Sequence, residues 1–196
     1  MKRHADLIEN FRDACLLVER KSKLERAEFA QRLGISERHL FRYHRLMKGM
    51  GADVQFCRSV RRYYFANDFH FDYGTSHLPS TADEDARFLA DLPALPKGDE
   101  DFPVHLYNML RNLARIHIVI KNSVPGTSES FMAEFGLTRR KWKECILTLR
   151  NLGAVFTYSR TDGHFYYENN FWIGLRVGVP VLDLGPLPRP LSTGEG

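Results

Sequence analysis

The feature that most constrains this chain is that it matches itself. Shifted by 102 residues, positions 29–71 align without a gap on 131–173, and nine of the 43 pairs are identical. They are Phe29/Phe131, Gly34/Gly136, Arg38/Arg140, Gly51/Gly153, Ala52/Ala154, Arg58/Arg160, Tyr64/Tyr166, Asn67/Asn169 and Phe69/Phe171. Typical residue frequencies give roughly two or three by chance, and other pairs keep their character, such as Ile35/Leu137, Ser36/Thr138 and Met47/Leu149. The chain therefore reads as two copies of one unit. A length of 196 residues suits two compact domains, expected over 1–75 and 104–175, with a linker over 76–103 and a Pro/Gly-rich tail over 176–196.

Each copy reads the same way locally. A first helix carries Leu7, Ile8, Phe11, Ala14, Leu17 and Val18 at helical spacing, and Leu106, Met109, Leu110, Leu113, Ile116 and Val119 do so in the second copy. A short second helix closes at Gly34 or Gly136, where glycine takes the left-handed conformation. Ser36 or Thr138 then caps a third helix running to Gly51 or Gly153. The period next switches to alternation: Val54 and Phe56, a polar tip, then Tyr63 to Phe65, and likewise Val155 to Tyr158, a tip, then Phe165 to Tyr167. That pattern is a β-hairpin. The expected fold class is α+β, mainly α: two winged helix-turn-helix domains, each of three helices and a β-hairpin wing.

The charge of +4 is a sum of unlike parts. Residues 1–75 hold 15 Lys and Arg against 10 Asp and Glu, 76–103 hold 2 against 7, and 104–175 hold 9 against 5. Two basic blocks thus flank an acidic one that contains four of the nine prolines, which is linker chemistry. Within it, Thr81 followed by Glu84 forms a capping-box pattern ahead of Phe88, Leu89 and Leu92, predicting a short helix.

The stretch FAQRLGISERHLFRYHRLMKGMGADV, followed by RRYYF, resembles the N-terminal winged-helix domain of bacterial DeoR-type and WYL-domain transcriptional regulators. The spacing from Gly34 through Ser36 and Arg38 to Gly51 carries the likeness over roughly residues 8–70. His44 departs from it in a slot usually apolar, as does Val60-Arg61-Arg62 where a glycine often precedes the aromatic strand. A second winged helix, rather than a ligand-sensing domain, follows the first, so the family's inducer control is not implied. The tandem layout is similar to that of plasmid replication initiators, which bind DNA, and of accessory subunits of chromosome condensation complexes, which bind protein.

A helix enters the major groove only if its exposed face offers donors to phosphates and base edges. With Leu40, His44 and Met47 inward, the first copy turns Arg38, His39, Arg42, Tyr43 and Arg45 outward, and Ser36 meets a phosphate at the helix N-terminus. Arg38 and Arg42 share a face and are the first candidates for base contact. The second copy offers Thr138, Arg139, Arg140, Lys141 and Lys143, with Trp142, Ile146 and Leu149 inward. The first wing tip brings Arg58, Arg61 and Arg62 to the backbone or minor groove, and the second only Arg160, so copy one is expected to bind DNA more strongly. Arg45, Lys48 and Arg150 also suit a helix C-terminus without any ligand.

These residues predict sequence-specific binding of double-stranded DNA by a transcriptional regulator. A plasmid or phage replication initiator, and a winged-helix protein-interaction subunit, stand as alternatives. A homodimer or protein partner, if any, is expected through domain 2 or the tail, where Val177 to Leu184 reads as an extended segment. No nucleotide-binding, nucleophile or metal motif is present, so the chain is expected to be no enzyme and to take no cofactor or metal. Cys15, Cys57 and Cys145 are far apart and read as fillers in a reducing compartment. No apolar run approaches the length of about 20 residues that spans a membrane, and the expected location is the cytoplasm, on the nucleoid when bound.

Overall fold

The computed structural model describes residues 3–75, 79, 81–95 and 103–178. It is a mainly helical α+β structure in which three helices followed by a hairpin occur twice. In the first copy these are α1 (Arg3–Glu19), α2 (Arg26–Arg32), α3 (Glu37–Gly49), β1 (Val54–Cys57) and β2 (Arg62–Phe65). A further strand, β3 (Phe69–Gly74), and a helix, α4 (Ala82–Asp91), precede the second copy. That copy comprises α5 (Val104–Lys121), α6 (Ser128–Phe135), α7 (Arg139–Asn151), β4 (Phe156–Ser159), β5 (His164–Tyr167) and β6 (Trp172–Val177).

Most residues shared by the copies have a structural reason. Phe29 and Phe131, Ala52 and Ala154, and Phe69 and Phe171 are all buried. Gly34 and Gly136, which follow α2 and α6, sit at φ 65° and 63°. Asn67 and Asn169 do one job twice. The Asn67 amide donates to the Gly51 carbonyl and its Oδ1 accepts from the Asp53 N–H, while Asn169 donates to Gly153 and accepts from Val155. Each thereby ties the end of a wing to the end of the helix before it. This leaves the backbone polar groups of the helix–wing junction satisfied.

The third strands join the copies. β3 and β6 pair antiparallel, with Asp72 opposite Gly174, Phe71 opposite Leu175 and Tyr73 opposite Ile173. Asp72 and Gly174 are themselves repeat-equivalent, being 102 apart. The pair His70↔Arg176 maps onto Trp172↔Gly74 under the same shift. The ladder thus has a pseudo-two-fold centre at Asp72 and Gly174, and the copies pair across it as the halves of a symmetric dimer do. Phe69, Phe71 and Tyr73 with Ile173 and Leu175 bury one face of this ladder. His4 of α1 also stacks on His105 of α5, ring centroids 5.1 Å apart.

α4 breaks the symmetry. It lies on β6 and α5, burying Ala82, Ala86, Leu89 and Ala90, and a Lys121–Asp83 ion pair holds it to α5. Gly174 makes the contact possible, because a Cβ there would lie 2.5 Å from the Asp85 Cβ and 3.1 Å from the α4 backbone. With α4 present, α5 is buried nearly all round, from Leu106 and Tyr107 to Val119 and Ile120. α1, by contrast, buries a single stripe including Ile8, Phe11, Ala14 and Val18. The capping box expected at the start of α4 is not formed. Thr81 has φ −93° and ψ 2°, so it is not extended as a cap residue would be, and its hydroxyl donates to Asp85 instead. Phe88, expected on the apolar side, is exposed.

Val177 ends β6, and the rest of the expected Val177–Leu184 segment lies outside the described residues, apart from Gly178. No helix among the described residues is long and apolar enough to cross a membrane.

Candidate nucleic-acid interface

α3 and α7 are the third helices of the two copies, just before each hairpin. Each is capped by the residue expected: Ser36 Oγ accepts from the His39 N–H and Thr138 Oγ1 from the Lys141 N–H, both at 3.3 Å. The Ser36 hydroxyl also meets His39 Nδ1 at 3.1 Å, so it is engaged within the helix start. Arg38 and His39 are exposed, and Arg42 and Arg45 are half-buried. On α7, Thr138, Arg139, Arg140, Lys141 and Lys143 are all exposed. Trp142 and Leu149 are buried and Ile146 is half-buried.

Tyr43 corrects the outward assignment. It is 2% exposed, its ring packs edge-on to Phe11, and its hydroxyl donates to the Leu7 carbonyl of α1. Burial raises its pKa to about 12. The inward stripe of α3 is therefore Leu40, Tyr43 and Met47, with Leu46 beside it. The repeat carries the signal for this, since Tyr43 corresponds to Cys145, which is buried on α7. His44 lies at the edge of the core, between Phe29 and Tyr63, and burial with nearby Lys48 and Arg26 lowers its pKa to about 4. It is neutral at pH 7 and adds no charge to the surface.

Opposite the buried stripe, helical geometry puts Arg38, Arg42 and Arg45 in one row at i, i+4 and i+7. The equivalent row on α7 is Arg140, Glu144 and Leu147. Neither Glu144 nor Leu147 is basic, and only their place in the row brings them into the site. Arg140 Nε donates to Glu144 at 3.1 Å. Leu147, with Arg139 and Lys143, borders a depression of about 730 Å³ that His4 of α1 also lines.

The wings differ too. Arg58 and Arg61 are exposed at the first tip, with Arg62 half-buried at the start of β2. Arg61 has φ 51° and pairs with Glu25, the cap residue of α2. At the second tip Arg160 is exposed and Gly163 takes the equivalent place at φ 69°. Here the backbone does the anchoring: Gly126 N–H donates to the Gly163 carbonyl at 2.8 Å, and Pro125 bridges to His164. Between α3 and the first wing lies a groove of about 690 Å³, floored by Val54 and Tyr63 and flanked by Phe41, Phe56, Arg45 and Lys48. Phe41 and Phe56 are 53% and 42% exposed, and Arg45 lies over the Phe41 ring.

Among the described residues, no group of three or more His, Cys, Asp or Glu is placed to hold a metal ion. No family model, curated protein or solved structure matches the chain.

Proposed function

We propose that the chain binds double-stranded DNA in a sequence-specific manner, as a transcriptional regulator, with the recognition helices in the major groove and the wings on the backbone. The observation that carries this reading is the kind of residue the copies share on their exposed surface. Six of the nine identities serve the core or the backbone of each unit. Arg38/Arg140 and Arg58/Arg160 instead lie on the surface, in the first turn of the recognition helix and at the first residue of the wing tip. Those are the places where a winged helix meets base edges and phosphates. Guanidinium supplies a planar fork suited to both.

A second reading, protein interaction, draws on Phe41 and Phe56, two exposed aromatic rings lining one groove.

Selection of bound duplexes from genomic fragments by the full chain, followed by quantitative titration, tests the proposal. Replacing Arg38 and Arg42 together by Ala is expected to abolish discrimination between selected and random duplex, while Arg62→Ala weakens both alike. Absence of any duplex binding by the wild-type chain at low salt contradicts it. So does retention of full discrimination by the Arg38/Arg42 double variant.

A further inference from the structure

We infer that the two copies divide the work on DNA: α3 reads base pairs, whereas α7 grips the phosphate backbone and specifies little sequence. The inference rests on the DNA-binding reading and concerns how that surface is partitioned. The outward row of α3, Arg38, Arg42 and Arg45, carries three positive charges. The same row on α7, Arg140, Glu144 and Leu147, carries one positive and one negative, net zero. The wing tips repeat the contrast. Residues 58–62 hold three arginines, and 160–164 hold one arginine and one aspartate, again net zero.

The row faces the floor of the groove when such a helix docks, with its N-terminal residues nearest the base edges. In copy two that row offers Arg140, then Glu144 paired with it at 3.1 Å, then the half-buried apolar Leu147. A carboxylate can accept from cytosine, but Glu144 cancels the charge of Arg140 where Arg42 adds to that of Arg38, so α7 brings less attraction to the base edges and their phosphates than α3 does.

α7 is nevertheless strongly basic to either side of its row. Arg139, Lys141 and Lys143 are exposed there, at positions that hold Glu37, His39 and Phe41 on α3. Cations beside a docked helix, rather than at its centre, meet the phosphates of the groove walls, and such contacts position a protein without reading sequence. Copy one has the opposite arrangement, with its cations in the row and an acid, an imidazole and a phenyl ring beside it. The target is therefore an asymmetric site: one half specified by α3 and the first wing, the other half tolerant of sequence.

The test is a base-by-base substitution scan of a selected duplex with the full wild-type chain, together with two double variants. The expected scan shows one contiguous block of base pairs whose substitution costs about 5- to 150-fold each, with the other half of the footprint nearly indifferent. Arg139→Ala with Lys143→Ala is expected to weaken specific and random duplex by the same factor and to flatten the salt dependence by about one unit per lost phosphate contact. Arg38→Ala with Arg42→Ala brings the ratio of specific to random affinity close to unity. Two blocks of comparable discrimination overturn the division of labour while leaving DNA binding intact, as does a fall in that ratio on changing Arg139 and Lys143. No duplex binding by the wild-type chain overturns the functional reading itself, and the division falls with it.

Discussion

Arg61 sits at φ 51°, in a left-handed conformation that the equivalent Gly163 adopts at φ 69°. A residue with a Cβ pays about 1–2 kcal/mol there and glycine does not. The exposed pair with Glu25 returns at most about 1 kcal/mol. Folding alone thus favours glycine at this tip, as copy two has it. Arg61→Gly is expected to leave stability unchanged or raise it by up to about 1 kcal/mol in urea denaturation, while weakening the binding of every duplex tested. A stabilised variant that binds as tightly as wild type would remove Arg61 from the interface.

The buried histidines set a pH dependence. His117 is fully buried, its Nδ1 is 2.9 Å from the Tyr167 hydroxyl, and burial first, then nearby Lys121, lowers its pKa to about 3. The unfolded value is near 6.5, so the contribution to stability is complete above that pH and is lost as pH falls from 6.5 toward 3. From pH 8 to pH 5 the expected loss is about 2 kcal/mol from this one imidazole, and His44, lowered to about 4, acts in the same direction. His70 opposes them. Its hydrogen bond to Glu19 raises its pKa, so its contribution is present below the unfolded pKa and fades as pH rises through the folded one. Chemical denaturation at pH 8 and pH 5 measures the balance, with lower stability expected at pH 5. Single residues such as His117 and Tyr43 were only partly legible in the sequence. A histidine or tyrosine on a helix carries a polar tip and an apolar body, and which one faces the core depends on partners elsewhere, here Tyr167 for His117 and the Leu7 carbonyl for Tyr43.

At the scale of elements, helices and wings were legible because each has a local cause. Glycines with positive φ close the helices, Ser36 and Thr138 cap them, and alternating aromatics mark the hairpins. β3 and β6 were missed although Phe69, Phe71 and Tyr73 alternate with polar residues. Their partners are each other, about a hundred residues apart, and no short-range turn announces that pairing. α4 was legible as a helix but not as part of the core, since its acidic composition and flanking prolines read as linker. Its packing depends on a missing side chain across the interface. Gly174→Ala places a Cβ against Asp85 and the α4 backbone, so helix and strand must separate. The expected cost is about 1–3 kcal/mol, seen as a lowered urea midpoint. Gly74→Ala, whose Cβ meets only the Trp172 side chain at 3.3 Å, is expected to cost less. Equal effects would contradict the close α4–β6 approach.

For the whole molecule, the repeat foretold two like units but not how they meet. The ladder centred on Asp72 and Gly174 makes one chain a pseudo-dimer, and α4 covers only the second half. The same sequence comparison that reveals the likeness of the copies also exposes their difference, at Arg42/Glu144 and Arg45/Leu147. Such differences stay hidden when residues are counted by charge and not by their place on the helix. A net charge of +4 accordingly understates the charge of each basic block, which the acidic residues of 76–103 offset in the sum.

DNA binding is checked by a fluorescence-anisotropy titration of a selected duplex with the full chain across a salt series from about 50 to 200 mM. Saturation is expected at one chain per duplex site, with an affinity that falls steeply and linearly in log–log form as salt rises and a slope reflecting several phosphate contacts from both copies. Binding that is flat with salt, or no binding at the lowest salt, contradicts the DNA-binding reading.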